Sequence, residues 1–400
     1  MIKRDLYLNR FRDFYNIPII KVLTGMRRSG KSTMLQLIQE DLRNNGAKDT
    51  QFFTLNMESV EGLAISNVED LMSKLSAFFS SLKEGEKGYL FLDEIQLLNG
   101  WESIVNACNT SYNADIYITG SNASLLSSDL ATLLSGRYVS FQVHPFSFSE
   151  FVELYSHLGK SAPELFLDYV QIGGMPSLKY FNLQVPPSIQ ALKDIYNSVI
   201  LRDVVEYGQI RNIDLLQRII LFVVSNIGNT FSATSINRFF KSENRIASLD
   251  TILSYLALCE NAFFIKRVPR QELPGKKLLA VNEKYYVADQ GFREALIGNN
   301  QAAIQGILEN IVYWELVRRG FDVNIGKTGD KEIDFVANIS GKTEYYQVTY
   351  LLADESTINR EFSALRSISD NYRKIVLSMD RLDMSRDGIE HKNIVNWLLE

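Results

Sequence analysis

The run Gly25, Met26, Arg27, Arg28, Ser29, Gly30, Lys31, Ser32 constrains this chain more than any other feature. It fits the pattern G-x-x-x-x-G-K-[ST], and its surroundings fit as well. A short apolar run, Ile17–Leu23, leads into it as a buried-strand candidate. After it, Met34, Leu35, Leu37, Ile38 and Leu42 fall at helical spacing between Lys31 and Arg43. Strand, glycine loop and helix in that order make a cradle for phosphate oxygens. Glycines let the backbone wrap closely, its N–H groups point inward, and the helix adds its positive end. In such a loop Lys31 reaches the β- and γ-phosphates and the Ser32 hydroxyl ligates Mg2+. The expected nucleotide contacts run from Gly25 to Thr33, with ATP and Mg2+ as cofactors. A glycine turn beside an exposed lysine is the bland alternative, and it leaves the flanking strand and helix unexplained.

Sixty-two positions past Lys31, the apolar strand Gly88–Leu92 ends in two acids, Asp93 and Glu94. Asp93 is placed to hold the Mg2+ shell and Glu94 to polarise an attacking water. Alone, such a pair is usually a solvated strand end; a phosphate loop upstream changes the reading. A protein that only binds nucleotide does not need the second acid. The next strand, Ile116–Thr119, is followed by Ser121 and Asn122. A polar residue at that tip either touches the γ-phosphate or caps the next helix. Arg137, at the end of Leu134–Arg137, is either an ordinary surface arginine or a charge that stabilises the γ-phosphate, in cis or from a neighbouring subunit.

Between residues 17 and 145 short apolar runs alternate with helical stretches. Gln51–Leu55, Tyr89–Leu92 and Ile116–Thr119 read as strands, and Val68–Leu82 and Trp101–Ser111 as helices. That alternation predicts an α/β fold, a parallel sheet covered by helices. From about 146 to 300 the pattern is mainly helical, with helices over 214–227, 232–240 and 247–259. Short β-like runs follow from Lys266 to Val287 around Pro274–Gly275. Three helices and a hairpin predict a winged helix-turn-helix. The remainder opens with a helix over 304–319, then strand-like runs at Ile333–Ala337, Tyr345–Tyr350 and Ile375–Leu377. A chain of 400 residues exceeds one typical core. The expected domains are 1–150, 151–300 and 301–400.

Two cysteines, Cys108 and Cys259, sit inside helical patterns and read as buried thiols, not as a disulfide or a zinc site. No signal-peptide pattern opens the chain, and the longest apolar run, Ile219–Val224, is too short for a bilayer of roughly 30 Å. A cytoplasmic, membrane-free location is the expectation. The net charge of −5 excludes a uniformly basic coat. A DNA or RNA partner then needs a local patch. The hairpin supplies the candidate: Lys266, Arg267, Arg270, Lys276 and Lys277 against Glu272. The third helix, with Asp250 and Glu260, is poorly suited to reading bases.

These residues resemble the AAA+ division of P-loop ATPases, specifically a prokaryotic family in which such a module precedes a C-terminal domain of unknown function. The resemblance rests on Leu23–Thr33, Leu92–Gln96 with Trp101 and Glu102, Ile118–Asn122, Gly136–Arg137, His144–Phe151 and Gly173–Pro176. Further along, Leu201–Val204, Tyr286–Asp289 and Gly306–Glu309 also fit, so nearly the whole chain is covered. It implies a five-stranded sheet of the ASCE type with Glu94 as catalytic base, Asn122 as a sensor-like residue and Arg137 as the arginine-finger candidate.

The family's tail is similar to the PD-(D/E)XK, restriction-endonuclease-like fold, with Glu309, Asp334 and the run Gln347–Thr349 at the corresponding positions. Active enzymes of that fold need carboxylates for a divalent metal and a lysine for the attacking water. Gln347 and Thr349 supply neither, so the expectation is a nuclease-like domain without its chemistry. The leading functional expectation is a Mg-dependent ATPase, a motor or remodelling protein acting on nucleic acid. The alternatives are a slow nucleotide-controlled switch assembling with a protein partner or a second copy, and an ATP-gated metal-dependent nuclease.

Overall fold

The computed structural model describes residues 2–123, 136–242, 247–273 and 277–400, with the side chains of 277–282 left out. Leu134 and Ser135, Pro274, Gly275 and Lys276, and the Lys277 side chain lie outside the described residues. The chain forms two compact units, Met1–His144 with Asn261–Phe263, and Pro145–Glu260 with Phe264–Glu400.

The first unit is built on five parallel strands: β1 Ile20–Thr24, β2 Phe52–Asn56, β3 Gly88–Asp93, β4 Ala114–Gly120 and β5 Tyr138–Gln142. Their order is β2-β3-β4-β1-β5, which agrees with the expected five-stranded parallel sheet. Every residue of β1, β3 and β4 is buried, because central strands of a parallel sheet are covered on both faces. Alternation along β3 divides the two cores. Leu90 and Leu92 meet helices Val68–Ser81 and Trp101–Ser111, while Tyr89 and Phe91 share a cluster with helices Asp5–Arg12 and Lys31–Asn44. Lys21 does not interrupt β1. Fully buried, its ammonium pairs with Asp115 on neighbouring β4 and donates to the Ile17 carbonyl.

In the second unit, helices Ile213–Ser225, Ala233–Ser242 and Leu249–Asn261 precede an antiparallel hairpin, β7 Ile265–Glu272 and β8 Lys277–Val287. A short strand, β6 Thr230–Phe231, pairs with β8. The hairpin is not a free projection. Arg270–Glu272 of β7 runs parallel to Ile325–Lys327 of β9 Asp322–Thr328. The remaining strands are β10 Lys331–Ile339, β11 Lys342–Val348, β12 Arg373–Ser378 and β13 Glu390–Asn393. One eight-stranded sheet results, in the order β13-β12-β11-β10-β9-β7-β8-β6. The sheet runs across residue 300, where sequence reading placed a domain boundary.

Helix Ile304–Arg318 is buried nearly all round, which explains why its sequence shows little amphipathic bias. The run Gly173–Pro176 has a physical reason as well. The Asp289 carboxylate accepts the N–H groups of Gly174 (2.6 Å) and Gly291 (2.8 Å), and a β-carbon on Gly173 would sit 1.7 Å from that carboxylate. Cys108 and Cys259 are free and buried, and burial pushes their thiols up to about 11 and about 12. Among the described residues no helix is long and apolar enough to cross a membrane.

Candidate functional site

The carboxyl ends of β1, β3 and β4 converge, as open α/β sheets direct them. Leaving β1, the loop takes three residues through positive φ: Gly25 (140°), Arg28 (65°) and Gly30 (104°). Gly25 is the tightest point. A β-carbon there would lie 2.3 Å from the Val143 carbonyl, just past β5. Gly30 then caps helix Lys31–Asn44 in the left-handed region. Met26 and Ser29 are buried within the loop, Arg27 is partly buried and pairs with Glu58 at 3.1 Å, and Arg28, Ser32 and Thr33 face solvent.

Lys31 is buried, and its ammonium donates to the carbonyls of Gly25 (3.0 Å) and Met26 (3.3 Å), 3.5 Å from Glu94. Asp93 and Glu94 follow β3 with exposures of only 3% and 7%. Burial raises the carboxyl of Asp93 above its usual range, against the hydrogen bonds of Ser32 and Thr119. Glu94 sits at φ 52° in the left-handed region, a conformation that costs a β-carbon-bearing residue about 1–3 kcal/mol and persists only where surroundings hold it. The surroundings here are specific. Its N–H donates to the Thr119 hydroxyl (2.9 Å), and Gln96 donates to its carboxylate (2.5 Å).

Sequence reading missed three of these participants. Thr119, at the tip of β4, accepts from Glu94 and donates to Asp93 at 2.5 Å, tying the two acids together. Asn56, at the tip of β2, donates to the other Asp93 oxygen at 2.7 Å. A polar residue at each strand tip was a readable signal for both. Arg4 gave none. Only 4% exposed, it donates to the carbonyls of Ser29 (3.4 Å) and His144 (2.8 Å), and the His144 N–H donates to the Tyr7 hydroxyl (3.1 Å). The phosphate loop is thereby fastened from outside to the segment after β5.

Asn122 and Ser121 follow β4 and are buried, at the same end of the sheet as the loop. Arg137 is elsewhere. Its carbonyl accepts the N–H of Ile20 at the first residue of β1, and β5 then runs beside β1 until Gln142 stands opposite Thr24. Five strand steps, roughly 16 Å, separate it from the loop of its own chain. Arg137 is exposed.

Of the basic hairpin residues, Lys266 pairs with Glu260 (2.8 Å), Arg267 with Glu283 (3.6 Å) and Arg270 with Glu332 (3.5 Å). Each described cation of the expected nucleic-acid patch thus has an acidic partner within the chain, while the Lys266 and Arg267 side chains stay about half exposed.

Residues 18–152 match the AAA domain family, and residues 163–303 match a domain family of unknown function, DUF8612. An uncharacterized protein of Haemophilus influenzae is 37% identical over 403 residues, covering 100% of this chain and 99% of its own length. The uncharacterized protein MJ1544 of Methanocaldococcus jannaschii is 28% identical over 404 residues, covering 97% of this chain and 87% of that protein. Among solved structures, the Thermotoga maritima RuvB Holliday junction branch migration motor aligns with 67% of this chain and 89% of its own at TM-score 0.35 and 17% identity. Aeropyrum pernix ORC1 in complex with DNA aligns with 76% of this chain and 94% of its own at TM-score 0.32 and 12% identity.

Proposed function

The chain belongs to the same family as the Haemophilus influenzae protein and carries an AAA domain over residues 18–152, and on that footing we propose that it binds and hydrolyses Mg-ATP as a motor or remodelling ATPase. The observation that carries this reading is the meeting of Lys31 and Glu94, 3.5 Å apart, at the mouth of a glycine loop. Lys31 exchanges its bonds to the loop's own carbonyls for β- and γ-phosphate oxygens. The loop N–H groups from Gly25 to Thr33 hold the phosphate tail. Mg2+ fits the donor set: Asp93 is a buried carboxylate whose charge burial disfavours, the Ser32 hydroxyl lies beside it, and both offer hard oxygens. These two residues would hold the ion, and it would supply charge neutralisation on the phosphates. Glu94 takes the proton of the attacking water, its backbone held by Thr119 and its carboxylate by Gln96. Asn122 orients that water. Arg4, by holding the Ser29 carbonyl outward, keeps the N–H of Gly30 on the opposite side of the same peptide plane, toward the phosphate.

Arg137 acts in this reading on the nucleotide of a neighbouring copy, since it immediately precedes β5 at the far end from its own loop. The helices over 213–261 and the β7–β8 hairpin are read as a winged helix, and residues 301–400 as a nuclease-like fold without nuclease chemistry. A second reading, a nucleotide-controlled switch with a protein partner, is favoured by one observation. Leu249 and Leu253, one turn apart on the third helix, are 42% and 47% exposed, an apolar edge where a base-reading helix carries polar side chains. Steady-state ATP hydrolysis by the full chain, with and without DNA or RNA, separates the two. A motor working on nucleic acid is stimulated at least severalfold and loses the stimulation at high salt. No stimulation, with ADP retained, leaves the switch.

A further inference from the structure

Lys284, on β8, carries a side chain only 3% exposed, and its ammonium lies 2.9 Å from Glu309, 3.0 Å from Glu332 and 3.3 Å from Asp334. An ammonium has three N–H donors and no acceptor. Here two of them are donated to Glu309 and Asp334, and Glu332 stands beside them as a third ion-pair partner. The remaining oxygens are taken as well. Gln305 donates to the second oxygen of Glu309 (3.4 Å), the Val348 N–H to that of Asp334 (2.9 Å), and Arg270 pairs with that of Glu332 (3.5 Å). Each carboxylate oxygen thus faces a donor supplied by the chain.

Charge closes nearly as well as geometry. Three acids against Lys284 and Arg270 leave one negative charge, and burial pushes the Glu309 carboxyl up to about 8, so a proton can make up the difference. Burial works against charge on Lys284, but the acids around it outweigh burial and hold it protonated. Among the described residues no group of His, Cys, Asp and Glu side chains is arranged to hold a metal ion. The two positions that sequence comparison found altered have other employment. Gln347 accepts the Asp334 N–H (3.4 Å), and the Thr349 N–H donates to Leu377 (2.9 Å).

We propose that Lys284 is the resident cation of this centre, doing for Glu309, Glu332 and Asp334 the charge work that a divalent ion does in a hydrolytic carboxylate site. The centre is a closed clasp that joins β8, helix Ile304–Arg318 and β10, and it leaves no place for a metal. The lysine comes from a strand that precedes the nuclease-like segment, so the vacancy at Thr349 is filled from elsewhere by a group serving as counter-ion. This proposal does not rest on the ATPase reading.

The test is Mn2+ titration of the nucleotide-free full chain by calorimetry, together with thermal melting, for the wild type, Asp334→Asn, Lys284→Ala, and Lys284→Ala with Asp334→Asn. The wild type is expected to take up no Mn2+ at millimolar concentration. Lys284→Ala is expected to melt on the order of 10 °C lower, because buried acids lose their partner. It should gain one Mn2+ per chain, recover much of its melting temperature on adding the ion, and lose that uptake when Asp334→Asn is added. Uptake of one Mn2+ by the wild type that Asp334→Asn abolishes overturns the proposal. So does a Lys284→Ala chain that melts like the wild type. If Lys284→Ala does not fold, the wild-type and Asp334→Asn titrations decide the matter alone.

Discussion

Replacing Glu94 with Gln should leave Mg-ATP affinity within about threefold of wild type while lowering turnover by a factor of about 10²–10⁴. The amide keeps the shape of the side chain and still offers an oxygen toward Lys31, 3.5 Å away. It cannot accept a proton from water. The left-handed backbone at this position, fastened through the Thr119 hydroxyl, is unaffected by the exchange, so loss of turnover reports the carboxylate itself. Rapid-quench measurement of a single turnover, beside equilibrium binding, checks the split. A variant that binds ATP as before and turns it over at the wild-type rate removes Glu94 from the chemistry.

The second large effect is structural in origin. Gly25→Ala places a methyl group 2.3 Å from the Val143 carbonyl at φ 140°, where no L side chain is at ease. Val143 cannot simply retreat, because its own N–H is bonded to the Thr24 carbonyl at 2.7 Å. Either the end of β5 or the loop must move, at a cost of about 2–3 kcal/mol. Mg-ATP affinity should fall by roughly 100-fold or more, since several N–H donors lose their aim together. Gly46→Ala is the matched control. It also has a positive φ, 99°, but nothing lies within 4 Å of the added carbon, so it should lower stability a little and leave nucleotide binding alone. Equal losses of binding in the two variants would contradict this explanation.

What the sequence makes legible here is local. The loop, its strand and its helix are readable because a single stretch of chain carries both the glycines and the 3.6-residue period. The Asp93–Glu94 pair is readable because it ends an apolar run. Helix Trp101–Ser111 falls where its periodicity puts it. What stays hidden depends on partners far apart in the chain. Arg4 is fastened to residues 25 and 140 positions away, and no pattern at residue 4 announces that.

The same reason hides the join between β7 and β9, which needs the register of strands separated by two helices. Strands β9 and β13 and the helix Glu355–Arg366 carry mixed polar sequences that a periodicity argument passes over. The basic residues of the hairpin look unpaired in sequence because their acidic partners, Glu260, Glu283 and Glu332, arrive from other elements. Lys284 was overlooked for a different reason. Motif comparison looks for a lysine two residues past Gln347, whereas a side chain from β8 reaches the same acids through space.

The most direct measurement is calorimetric titration of ATP into the wild-type chain, with Mg2+ and with the metal chelated, repeated on Lys31→Ala. One nucleotide per chain is expected, bound more tightly when Mg2+ is present, with a loss of affinity of about 10–100-fold when the ammonium is removed. A wild-type chain that takes up no adenine nucleotide in the presence of Mg2+, or one that binds it equally well without Lys31, contradicts that expectation.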